Sequence, residues 1–231
     1  LDARSFAVGP RIRGRSFVVG QPPRGPMKRR VIKLGGSLLT RPHLLDDFYH
    51  WHSHQPPADD CLIVGGGQMI DAVREWDRLR PGDPRAVHWL CVAMLEHSMR
   101  HLAKAFQADA RLSPVEILDS EAAWLRYSAP LSDSKTPASA PIKFLRPDVV
   151  YHSASNAPLP ENWSTTTDSI AMWVGLLCDA NEVVLLKSCT VSPEDDLRAW
   201  VANGVVDPAC EVLASLEKKL RVEQLPVQPT S

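Results

Sequence analysis

The chain has 231 residues, 44% of them hydrophobic, and a formal net charge of -1, which gives no global electrostatic reason to expect a nucleic acid or a membrane surface as partner. No apolar run approaches the roughly 20 residues of a membrane-spanning helix, so a soluble protein is expected. Five cysteines, at 61, 91, 178, 189 and 210, contain no C-x-x-C pair. An odd number of thiols, several inside apolar runs, points to a reducing compartment and a cytoplasmic location, with small buried thiols rather than disulfides or zinc ligands.

Residues 1 to 26 differ from the rest. Arg4, Arg11, Arg13, Arg15 and Arg24 stand among Gly, Pro and Ser with one acid, Asp2, and no continuous apolar stretch makes a secretory signal. The reading is a leader outside the fold, followed by one domain over residues 27 to 231, with Met27 as the simpler start site.

From Val31 onward the pattern is strand, loop, helix, repeated, the sign of a parallel sheet with crossover helices. Val31 to Leu34, Cys61 to Val64 and Val183 to Leu186 read as fully buried strands. A helix starts near Leu44 and is broken by Gln55-Pro56-Pro57. A second runs from Met69 to Leu79 with Ile70, Val73 and Trp76 on one face, and the longest covers 86 to 107, its apolar face including Leu90, Met94 and Leu95. That face is core or subunit interface, and a homo-oligomer is expected. Residues 128 to 141 read as a flexible loop, and Phe144 to Tyr151 as a strand. Thr165-Thr166-Thr167-Asp168 reads as a helix start with Ile170, Trp173, Val174 and Leu177 facing inward. Ser192-Pro193-Glu194-Asp195 reads as another capped start, and Pro208 to Leu220 as the last helix.

Ligands of open parallel sheets bind at the carboxyl ends of the strands. The three apolar strands deliver there Lys33 with Gly35, Gly36 and Ser37, then Gly65, Gly66 and Gly67, then Lys187 and Ser188. Glycines let backbone amides approach an anion, and a following helix adds its positive end. Lys33 interrupts an apolar strand, where an ammonium needs a paired charge, and a phosphate would supply one. Neither G-x-x-x-x-G-K-[ST] nor G-x-G-x-x-G is present.

Val-Ile-Lys-Leu-Gly-Gly-Ser at 31 to 37, Leu-Ile-Val-Gly-Gly-Gly at 62 to 67 and Thr-Thr-Asp-Ser at 166 to 169 resemble the amino acid kinase family, in order and spacing over residues 29 to 190. The resemblance implies a three-layer α/β/α sandwich with a mainly parallel sheet. It implies transfer of the γ-phosphoryl group of ATP, with Mg²⁺, to a small-molecule acceptor that is a phosphorylated or acidic metabolite. Lys33 would neutralise the transferring group and Asp168 would orient Lys33. Gly35, Gly36, Ser37, Lys187 and Ser188 would hold the nucleotide, and Gly65, Gly66, Gly67, Thr166 and Thr167 the acceptor; no protein ligand to a metal is assigned. Glu161 to Ser169 is most similar to the aminomethylfuran-phosphate kinases of methanofuran biosynthesis and their bacterial relatives.

The chain departs from the family where Lys187-Ser188 replaces the usual Thr-Asp after the last apolar strand, and little sequence remains for the later nucleotide-side loop. Two alternatives stand: Lys187 supplies the second charge of an active kinase, or the site is catalytically degenerate and the chain is a nucleotide- or anion-binding regulatory subunit of the same fold. His43, His50, His52 and His54 could suggest metal, and His50 and His54 would share a helical face; a solvated helix end is the plainer reading. Asp46-Asp47 and Glu194-Asp195-Asp196 read as helix-start or exposed acids.

Overall fold

A computed structural model of the chain describes residues 28–131 and 140–227. The expected leader, and most of the loop expected at 128 to 141, lie outside the described residues. The others form one six-stranded sheet in which every strand pair is parallel.

Strands β1 (Arg29–Leu34), β2 (Asp59–Val64) and β5 (Glu182–Lys187) form its centre, in the order β3-β4-β2-β1-β5-β6. The three apolar runs of the sequence are these three strands. β3 (Val115–Leu118), β4 (Ile142–Leu145) and β6 (Leu220–Gln224) complete the sheet.

Helices cover both faces. Alternation along the central strands sends Val31, Cys61, Ile63, Val183 and Leu185 to one core, with α4 (Glu121–Ser128), α5 (Thr167–Leu177), α6 (Leu197–Ala202) and a 3-10 segment (Pro208–Lys219). Ile32, Leu34, Leu62, Val64, Val184 and Leu186 go to the other, with α1 (Leu44–Ser53) and the second half of α3 (Pro84–Ala108). Val92 and Leu95, in the first half of α3, join the first core instead. Thus α3 crosses from one layer towards the other, beside α2 (Gln68–Leu79).

Several expectations change. The strand foreseen at Phe144 to Tyr151 stops at Leu145, because Arg146-Pro147 turns the chain into a short 3-10 helix, Pro147–Val149. On α2 Val73 is buried but Trp76 is 68% exposed, and Leu177 on α5, expected to face inward, is exposed too; Leu90, on the α3 face expected as core or subunit interface, is also exposed. The last helix is a 3-10 segment kinked at Leu213. The capped start near Ser192 falls later, where Asp196 accepts from Ala199 N. Asp46 and Asp47 lie in the first turn of α1, as expected of helix-start acids, with Asp47 buried beside Arg41. Cys61, Cys178 and Cys210 are buried, Cys91 is partly so, and Cys189 is exposed. No helix among the described residues is long and apolar enough to cross a membrane.

Candidate active site

The period of two along a strand decides where the lysines go. Val31 and Lys33 share one face of β1, and Val183, Leu185 and Lys187 share the same face of β5, because Lys33 lies opposite Leu185 in the β1–β5 register. Both ammonium groups therefore emerge on the α5 side, where the first turn of α5 carries Asp168. Lys33 Nζ lies 2.8 Å from Asp168 Oδ1 and Lys187 Nζ 2.5 Å from Oδ2. All three side chains are less than a tenth exposed.

Two buried cations thus share one carboxylate. Burial pushes the Asp168 carboxyl up, but the charges of Lys33 and Lys187 and their hydrogen bonds more than reverse this and hold it below the usual range. Burial, then the charge of Lys33, lowers the Lys187 ammonium, and Asp168 opposes that shift incompletely.

The glycines divide into two groups. The amides of Gly35 and Gly65 extend the sheet ladder, donating to Leu186 O at 3.0 Å and Leu34 O at 2.9 Å. Those of Gly36, Ser37, Gly66 and Gly67 have no acceptor among the described residues and are the donors left for an anion. The two loops touch backbone to backbone: a Cβ on Gly36 would stand 2.4 Å from Gly67 N, and one on Gly65 2.5 Å from Gly36 N. Gly67, at φ +58° and ψ -149°, adopts a conformation that is essentially restricted to glycine and opens α2. Ser37 Oγ and Ser188 Oγ are 2.7 Å apart, which ties the end of β5 to the first loop.

Beside these loops lies a cavity of about 250 Å³. Gly36, Ser37, Gly65, Gly66 and Gly67 line one side and Thr165, Thr166 and Thr167 another; Ile70, Val92, Leu95 and Ile170 make it largely apolar. Lys33, Asp168, Lys187, Gly35 and Ser188 are not in its wall. Its polar walls include residues to which the sequence gave no role. Arg74 stacks on Trp163, 4.9 Å from its ring centre, and pairs with Asp71 at 2.8 Å. Trp163 is pinned by its Nε1, which donates to Asp77 Oδ2. His88, whose pKa is lowered by burial, lies 2.9 Å from the Tyr151 hydroxyl. Of these positions only Arg74 had a cue in periodicity, lying seven residues beyond Gly67, two helical turns along α2.

His50 and His54 do share a face at the end of α1, with ring centres 4.5 Å apart, but the other histidines do not join them. His52 bonds to Asp60 and His54 Nδ1 lies 2.7 Å from His50 O. Among the described residues no three His, Cys, Asp or Glu side chains group closely enough to hold a metal ion.

Solved structures share this architecture. UMP kinase from Bacillus anthracis is similar with a TM-score of 0.54 and 13% identity, over 87% of this chain and 88% of that one. The fold is that of the UMP kinases, within the amino acid kinase fold. UMP kinase from Ureaplasma parvum (TM-score 0.51, 13% identity, 86% and 90% covered) and uridylate kinase from Archaeoglobus fulgidus (0.51, 16%, 88% and 92%) have the same UMP kinase arrangement. Neither a protein-family model nor a curated protein sequence matches the chain.

Proposed function

We propose that this chain is an ATP-dependent small-molecule kinase acting on a phosphorylated or acidic metabolite. The observation that carries this reading is the sharing of Asp168 by Lys33 and Lys187, at the ends of adjacent strands and beside amides that have no other acceptor. Phosphoryl transfer needs positioning and charge stabilisation more than covalent help from the protein, and these groups fit that need.

ATP would supply the phosphoryl group, with Mg²⁺ screening its charge. Gly36 and Ser37 would hold its phosphates, with Gly35 setting the loop and Lys187 and Ser188 flanking it. Both Asp168 oxygens already face lysines, so a magnesium ion would rest mainly on the phosphates. Lys33 would stabilise charge on the group in transfer, and Asp168 would hold both ammonium groups in place. Gly66 and Gly67, on the loop begun by Gly65, would take the anionic end of the acceptor, and Thr166 and Thr167 would flank it. The apolar remainder of the cavity, with Trp163, suits a compact body bearing few charges.

Aminomethylfuran phosphate is the first acceptor to test, on the likeness of the stretch Glu161 to Ser169. The exposed Trp76, Leu79 and Leu90 support a homo-oligomer joined through α2 and α3.

The test is ADP release from Mg-ATP with aminomethylfuran phosphate, uridylate, aspartate or glutamate. One acceptor should be turned over, and Lys33→Ala should lower kcat by about 10²–10³-fold, the size typical of removing one transition-state charge contact. ATP binding without turnover of any acceptor would favour the regulatory-subunit alternative. Absence of both turnover and an ATP-dependent thermal shift would sink the proposal.

A further inference from the structure

Asp207 lies outside the motifs, between α6 and the 3-10 segment, yet its side chain reaches the first turn of α5. One oxygen, Oδ2, accepts from Thr166 N at 3.0 Å, Thr166 Oγ1 at 2.7 Å and Ser169 N at 3.1 Å, and lies 3.0 Å from Ser169 Oγ, whose one proton it shares with Thr166 O at 3.1 Å. The residue is 7% exposed. Asp168 lies between Thr166 and Ser169 in sequence and directs its own carboxylate to Lys33 and Lys187.

We infer that Asp207 is the positioning residue of the phosphate site: it fixes the turn that aims Asp168 at the two lysines and sets Thr166 and Thr167 in the cavity wall. This rests on the kinase reading for its catalytic consequence, though not for its effect on anion binding.

The geometry argues this in two steps. A helix begins with amide donors that have no intrahelical partner. Here the cap of α5 is Thr166, whose hydroxyl only weakly accepts from Asp168 N, at 3.3 Å. Asp207 supplies the stronger acceptor from another part of the chain. Second, its location is costly. Burial and then the neighbouring Asp168 raise the Asp207 pKa, and the bonds from Thr166 and Ser169 offset this in part. A carboxylate placed only to stabilise the fold would do better away from a second carboxylate; beside Asp168 it controls that residue's backbone. Ala209 N donates to Ser164 O at 3.1 Å, a second tie between the same segments.

The test compares Asp207→Asn, which keeps an acceptor oxygen without charge, with Asp207→Ala, which removes it. Each variant is checked for folding by circular dichroism and melting, then assayed for kcat, KM and the thermal shift induced by pyrophosphate. Expected is a folded Asp207→Ala protein with kcat lowered by about 10²-fold and most of the pyrophosphate shift lost, and an Asp207→Asn protein within about tenfold of wild type in kcat with the shift retained. The inference is overturned if folded Asp207→Ala keeps wild-type kcat and shift. It is also overturned if the two variants lose function equally. Should Asp207→Ala fail to fold, Asp207→Ser serves in its place, with the same outcomes. Should the wild type turn over no acceptor, the pyrophosphate shift decides alone: its loss in Asp207→Ala and retention in Asp207→Asn supports the inference while the kinase reading fails. A wild type with neither turnover nor shift overturns both.

Discussion

The two ends of the central strands carry buried charge in different ways. At the amino end, Arg30 makes two bonds to Asp60, at 2.7 and 2.9 Å, Lys143 lies 2.5 Å from Asp59, and buried Arg29, with no carboxylate beside it among the described residues, donates instead to the carbonyls of Cys178, Tyr127 and Ala129. At the carboxyl end two ammonium groups meet one carboxylate, beside amides without acceptors. Burial of a charge is tolerated when it is paired and hydrogen-bonded. Among the described residues, the amino end therefore meets its excess cation with backbone carbonyls, leaving only Arg29 Nε without a partner, whereas the carboxyl end sets its excess cation beside several backbone amides that have no acceptor. Buried excess charge alone does not mark a functional site; backbone amides left without acceptors beside it do.

The largest test of this contrast breaks one buried ion pair at each end. Asp168→Asn leaves two buried ammonium groups unpaired and should destabilise the free protein by about 3–5 kcal/mol, part of which saturating pyrophosphate should restore. Arg30→Met leaves Asp60 with His52 as its remaining partner and should cost up to a comparable amount, with no recovery on adding pyrophosphate. Urea unfolding with and without the anion measures both, and recovery of Arg30→Met would erase the distinction.

A smaller effect is expected from Lys187→Met, which leaves Lys33 and Asp168 matched one to one. Stability should change by no more than about 1 kcal/mol, while pyrophosphate affinity falls about tenfold, or about 1.4 kcal/mol. Unchanged affinity by calorimetry would assign the anion to Lys33 alone.

The smallest effect is in pH. Lys187 holds its proton less tightly folded than unfolded, so the unfolded chain binds more protons between the two values and the free protein gains stability as pH rises through that window. A bound anion favours the charged ammonium, so affinity should decline as pH rises through the lowered Lys187 value, earlier than an ordinary lysine would dictate. A flat affinity up to the ordinary lysine range would count against Lys187 as a ligand.

The centre of the fold was legible because β1, β2 and β5 are buried on both faces and read as apolar runs, with Lys33 the one interruption. The edge strands were not. β3 is four residues long and mostly half-buried, and β6, Leu-Arg-Val-Glu-Gln, mixes polar and apolar residues, as an exposed edge does. Lys33, Asp168 and Lys187 could be named from their strand and helix ends, but the sharing of one carboxylate depends on the β1–β5 register. Trp76 misled because an apolar stripe on α2 does not state which part of it the sheet will cover. Asp207 gave no signal, since its partners lie about 40 residues away in sequence and only packing brings them together.

The backbone contact between Gly36, Gly65 and Gly67 bears on how such a protein can change over time. Where main chain meets main chain there is no side chain to vary, so the loops that would hold phosphate are closed to adjustment by substitution. Novelty must enter through the cavity walls, at Arg74, His88, Cys91 and Trp163, each of which can be exchanged without moving the glycines. The molecule is thereby divided into a part that inheritance must copy and a part that selection can rewrite, and altering the acceptor by design should begin with the second.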